Sequence, residues 1–258
     1  MPTIHFTGKV LPSIVKVTVD SGRQLNWSEP NIGLEMKITL HIKDSVVDAE
    51  CELNRYEDKE LATYYMRALD LVRASVDLVS FAMARGLTVF LDTVVKPNGI
   101  PSPILLENPL LVPLVTAFRV NADKSCAESN DKMCQLVLTE PPLFMALNDL
   151  IVAITLPHHS PVNCARAIEG LRSIITPPGM DRKDGWAVLR DKLRIEKEYL
   201  AFITQYSTGP RHGDRAHIPG NICDEIIKRA WIIMNRFLEF RKRGNQPLPE
   251  SEFPTLSS

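Results

Sequence analysis

Apolar and polar residues alternate through most of residues 3–54, in the runs TIHFTGKV, SIVKVTVDSG, LEMKITLHI and DAECELN. A period of two in segments rich in β-branched residues predicts strands with one buried face. The turn signals DSG and PNIG between the runs predict a small antiparallel sheet. The period then changes: Leu61, Tyr65, Ala68, Leu69, Val72, Val76 and Val79 recur at threes and fours, which predicts a helix over about 59–85 with Gly86 placed to end it. LTVFLDTVV reads as a further strand and KPNGIPSP as a turn, while the apolar segment LLENPLLVPLVTAF fits no single period. Residues 1–120 are therefore expected to form an α+β domain.

The polar stretch NADKSCAESNDK breaks the apolar pattern, and 121–135 reads as an interdomain linker. From 136 to 243 the period is helical. Pro141 and Pro142 open a helix to about Thr155, and Ser160 and Pro161 open another to about Ile175. A third spans about 183–206, with Trp186, Leu189, Leu193, Leu200 and Ile203 on one side. The fourth begins after Gly220, with Asn221 as N-cap, Asp224 and Glu225 in its first turn, and Ile222, Ile226, Ala230, Ile233, Met234, Phe237 and Leu238 as its buried face. Four single-stripe helices predict a bundle. The proline-rich tail, 244–258, reads as mobile.

Composition narrows the function classes. A net charge of −1 over 258 residues gives no global attraction to nucleic acid or anionic membrane, so a basic surface has to be local. The segment from Asp181 to Arg243 supplies one, with 14 basic and 9 acidic residues. The N-terminus lacks the pattern of a secretory signal, and the apolar runs are interrupted well short of a bilayer span, which predicts a cytoplasmic protein that does not cross a membrane. Cys51, Cys126, Cys134, Cys164 and Cys223 are scattered, fit no zinc spacing and read as reduced structural thiols. The histidines form no metal-binding helix, so neither metal nor cofactor is expected.

Ionisable chemistry concentrates in Ser207–Gly220, STGPRHGDRAHIPG, which reads as the connection between the last two helices. Arg211 offers a permanently charged fork of donors suited to phosphate, and His217 can exchange a proton near neutral pH. In RNA cleavage the nucleophile is the substrate's own 2′-hydroxyl. A neutral His217 can accept that proton while Arg211 stabilises charge on the pentacoordinate phosphorus. The start of the last helix would add backbone N–H donors, partly offset by Asp224 and Glu225. His212 is a supporting donor, Asp214 either orients a histidine or pairs with Arg215, and Tyr206 is the nearest aromatic for base stacking. These charges also read as a solvated loop that complements the preceding helix's C-terminus.

A helical bundle with an arginine and a histidine four to six residues apart, just before its final helix, resembles the HEPN superfamily. RHGDRAH matches the R-x(4-6)-H motif with Arg211, polar His212 and His217. The resemblance covers about residues 140–243. It implies a metal-independent endoribonuclease that works as a homodimer with its two motifs facing across a cleft. It also implies a place in a bacterial toxin or phage-defence system, with an antitoxin or activator as partner. Family histidines commonly lie in the first turn of the final helix, whereas Pro219 and Gly220 place that helix after His217. Some members only bind RNA, nucleotide or protein, which is the alternative for this chain. A third expectation leaves the function with the N-terminal domain.

Overall fold

The early alternation is realised as β1 (Thr3–Leu11), β2 (Val19–Glu29), β3 (Leu34–Lys43) and β4 (Val46–Leu53). The computed structural model describes residues 1–104, 108–118, 128–156, 159–213 and 218–257. The chain divides into two units, Met1–Leu105 and Leu106–Ser258, in an α+β architecture.

In the first unit, helix α1 (Leu61–Met83) separates β4 from β5 (Thr88–Val95) and β6 (Pro101–Pro103). The six strands form one antiparallel sheet in the order β2-β3-β4-β1-β5-β6. Alternate residues Met36, Ile38, Leu40 and Ile42 of β3, and Val47, Ala49, Cys51 and Leu53 of β4, are buried. Helix α1 packs on the sheet with Tyr64, Tyr65, Ala68, Leu69, Val72 and Val76 buried. Phe6 meets Tyr65 edge to face, with ring centroids 5.8 Å apart. A fully buried Val, Leu, Ile, Phe or Met side chain contributes about 1.5–3 kcal/mol. The opposite sheet face carries His5, Lys37, Asp48 and Glu52, joined as the pairs His5–Asp48 and Lys37–Glu52.

Two boundaries differ from the sequence reading. DSG is not a turn between strands: β2 runs through it, and the pairing shifts from Val19↔Ile42 to Arg23↔Leu40. Two extra residues are absorbed as a bulge, which a glycine tolerates. Helix α1 closes at Ala84 in a left-handed conformation, φ 48°, two residues before Gly86. Gly8 lies at the β1–β5 register shift, where an added Cβ would overlap the Phe90 carbonyl.

The second unit contains α2 (Glu128–Thr139), α3 (Pro141–Thr155), α4 (Ser160–Ile175), α5 (Arg182–Leu193), α6 (Lys197–Arg211) and α7 (Gly220–Lys242). The expected linker thus ends in helix α2, while 119–127 and Cys126 lie outside the described residues. Helix α4 is central and packs against α3, α5, α6 and α7. Its Cys164, Ala167, Ile168 and Leu171 are buried against Leu189, Leu193, Ile203, Ile226, Ala230, Ile233 and Phe237. The short 3-10 segment Pro109–Leu114 docks on α7, and Asn235 Oδ1 accepts from the backbone N–H of Thr116 and Ala117.

The expected third helix is two helices. Trp186, Leu189, Leu193, Leu200 and Ile203 keep a helical spacing across the break, so the pattern alone does not reveal it. An unbroken helix would continue the stripe through Lys197. The chain instead turns at Arg194, φ 56°, buries Ile195 and pairs it with Leu256. The tail expected to be mobile supplies that pairing, with Leu248 buried and Phe253 and Leu256 packed on the core.

Candidate functional site

The site builds up from the end of α6. STGPR is not loop, as the sequence reading had it, but the last turn of this helix. Ser207 is buried and donates to the Thr204 carbonyl at 2.8 Å. Pro210 is tolerated within the last helical turn. Arg211 closes the helix, and exposed His212 caps it through backbone bonds to the carbonyls of Thr208 and Gly209. Asp214, Arg215 and His217 lie outside the described residues.

The chain is described again from Ile218, and α7 begins at Gly220 with Pro219, not Asn221, as its N-cap residue. Asp224 and Glu225 consequently fall beyond its first turn, where they offset the positive potential of the helix N-terminus less strongly. Burial pushes the Asp224 carboxyl up. Glu225 is engaged by Arg229 at 2.7 Å, whose guanidinium also lies over the Tyr199 and Phe202 rings.

Arg211 Nη1 donates to Glu169 Oε1 of α4 at 2.9 Å, and the Arg211 side chain is 30% exposed. Arg182 Nη2 lies 3.8 Å from the same oxygen. One turn along α4, Arg172 stacks over Trp186 at 5.1 Å and directs Nη1 to the Arg182 carbonyl at 3.4 Å. Burial first, then the nearby Arg182 charge, lowers the Arg172 pKa, while Glu169 opposes the fall. Two guanidinium groups, Arg211 and Arg182, thus share the Glu169 carboxylate, with a third, Arg172, beside them.

Local structure holds these groups in place. Asp181 caps α5 by accepting from the Lys183 N–H at 2.9 Å, a favoured N-terminal arrangement. Thr176, after the end of α4, donates its hydroxyl to the Arg172 carbonyl at 2.6 Å. Gly185 lies against that hydroxyl so closely that a Cβ would overlap it. The start of α5, and Arg182 with it, is thereby pressed onto the end of α4.

Tyr206 is not brought beside Arg211. Five residues along a helix separate the two by about 140°, and Tyr206 packs edge to face on Phe202 at 5.5 Å. Glu169, Arg172 and Arg182 escape sequence reasoning, since Glu169 is 42 residues from Arg211 and sits on the polar side of a helix notable for its apolar stripe. Among the described residues no three His, Cys, Asp or Glu side chains group as metal ligands. No single helix among them is long and apolar enough to cross a membrane.

Two family models match the chain: the domain of unknown function (DUF8168) N-terminal domain over residues 4–105, and the DUF8168 C-terminal domain over residues 130–242. No curated protein and no solved structure matches it.

Proposed function

The chain belongs to the DUF8168 family, carrying its N- and C-terminal domains in order, and we propose, on the residues of its own C-terminal unit, that this unit is a HEPN-like, metal-independent endoribonuclease. The observation that carries the reading is the presentation of Arg211. It stands at the end of α6, held by Glu169, in the connection that contains His217 and leads into α7.

In the proposed reaction His217 accepts the proton of the ribose 2′-hydroxyl. The 2′-oxygen forms a bond to phosphorus as the bond to the 5′-oxygen breaks, and Arg211 stabilises the added negative charge. The 5′-oxygen takes up a proton from the imidazolium or from water, leaving a 2′,3′-cyclic phosphate and a 5′-hydroxyl. The protein acts in the cytoplasm as a homodimer, within a bacterial toxin or phage-defence system, under an antitoxin or activator protein.

In a second reading, a non-catalytic module that binds RNA or nucleotide, Arg211 serves as a phosphate ligand alone, its guanidinium oriented by Glu169. Cleavage of an RNA pool in excess EDTA, compared among wild type, Arg211→Ala and His217→Ala, separates the two. Cyclic phosphate ends produced by wild type and lost in both variants support catalysis. Salt-sensitive binding without turnover supports the module. Full cleavage by both folded variants overturns the nuclease assignment.

A further inference from the structure

Arg172, Arg182 and Arg211 come from α4, α5 and α6, and their meeting point has an unusual charge balance. Among the described residues, Glu169 pairs with Arg211 and lies near Arg182, and the Arg172 guanidinium, directed to the Arg182 carbonyl, adds a third positive charge beside them, so these four side chains together carry a net charge of +2. Arg211 takes the near contact at 2.9 Å, while Arg182 stands off at 3.8 Å with its side chain 68% exposed. Arg172 is fixed between the Trp186 ring and the Arg182 carbonyl, and its Nε is buried without a hydrogen-bond partner.

Like charges gather at a cost unless an anion joins them. One carboxylate accepts well from one fork, but a phosphate offers more oxygen acceptors and matches guanidinium geometry. Arg182 is exposed enough to swing onto such a group, and the packing of Gly185 against Thr176 holds its helix beside α4.

We propose that Arg172, Arg182 and Arg211 form a cradle for a backbone phosphate of single-stranded RNA, in which Glu169 is the resident competitor that the phosphate displaces. The inference rests on the reading of Arg211 as a phosphate ligand and extends it to three residues outside the motif. Glu169 then has two effects. It orients Arg211 in the free protein, and it weakens binding because its carboxylate must surrender the guanidiniums. A purely structural Glu169 has only the first effect.

The two roles predict opposite signs for Glu169→Gln. The test is binding of a fluorescein-labelled 2′-O-methyl oligouridine, which keeps every phosphate and cannot be cleaved, to the full chain across a salt series. Glu169→Gln is expected to bind about two- to fivefold more tightly, the effect of an exposed charge contact. Arg182→Gln is expected to bind about two- to fivefold more weakly, and to lower the slope of log K against log salt by about 0.7, one single-strand phosphate contact. Arg182 is exposed, so its variant keeps the test decisive even if Glu169→Gln folds poorly.

Unchanged affinity and slope in Arg182→Gln, weaker binding by a folded Glu169→Gln, or no binding by wild type each overturn the cradle. Cleavage of unmodified RNA is scored separately with His217→Ala. Binding through the cradle without cleavage retains this inference and removes the nuclease reading. Cleavage that depends on His217 but ignores Arg182 and Glu169 does the reverse.

Discussion

Replacing Arg236 by alanine is expected to destabilise the C-terminal unit by about 3–5 kcal/mol, because three backbone carbonyls lose a charged hydrogen-bond donor. Arg236 is 6% exposed. Its Nη1 donates to the carbonyls of Leu193 at 2.9 Å and Arg194 at 2.8 Å, and its Nη2 to that of Pro254 at 2.6 Å. One side chain of α7 thereby holds both the α5–α6 break and the C-terminal tail. Hydrogen bonds to a charged group contribute about 1.5–3 kcal/mol each, so three bound the effect from above, and relief of the cost of burying the guanidinium, which alanine lacks, offsets part of that sum.

The assay is urea unfolding followed by Trp186 and Trp231 fluorescence in a Trp27→Phe background, because a chain with two units need not unfold in one step. With an m-value of about 2–3 kcal/mol/M, the midpoint falls by about 1–2.5 M. Deleting residues 245–258 removes the Pro254 acceptor and the Phe253 ring beneath the guanidinium. The deletion and Arg236→Ala should therefore be less than additive, by about 1 kcal/mol or more. A loss below about 1 kcal/mol, or strict additivity with the deletion, refutes the view that Arg236 clamps the tail to the break.

Three further outcomes follow from the same structure. Gly8→Ala forces a methyl into the Phe90 carbonyl at the β1–β5 register shift and is expected to cost about 1–3 kcal/mol; Trp27 fluorescence during urea unfolding checks it, and an unchanged midpoint refutes it. Burial raises the Asp149 carboxyl pKa, and Arg166, 3.2 Å away, only partly opposes the rise. A raised folded-state pKa means the native state binds this proton more tightly, so the contribution to stability is full below the ordinary carboxylate range and is lost as pH climbs through the folded pKa. Asp149→Asn should accordingly raise Tm at pH 7 with a benefit that shrinks toward pH 3, and a benefit that grows on acidification contradicts this. Native alkylation at pH 8 should modify exposed Cys134 before Cys51, Cys164 or Cys223, since burial raises the Cys51 pKa to about 12 and that of Cys223 to about 11 and only the thiolate reacts; peptide mapping showing Cys164 modified as fast as Cys134 overturns it.

Periodicity alone was enough to read the sheet, α1, α3, α4 and α7, because burial of one face imposes a period of two on strands and of 3.6 on helices. Leu40 and Ile42 on β3, or Ile226, Ala230 and Ile233 on α7, are buried as that rule requires. Periodicity says nothing about contacts between distant segments, and the differences arise there. The break at Arg194 lies within an intact apolar stripe and is fixed by Arg236 and the tail, 42 and more residues away. Leu248, Phe253 and Leu256 look like scattered apolar residues among prolines until the core is there to receive them. At the candidate site, the short-range spacing of Arg211 and His217 was visible in the chain. The carboxylate that holds Arg211, the Arg182 that shares it and the Arg172 beside them come from α4 and α5, and only the packing of α4 against its neighbours brings them together.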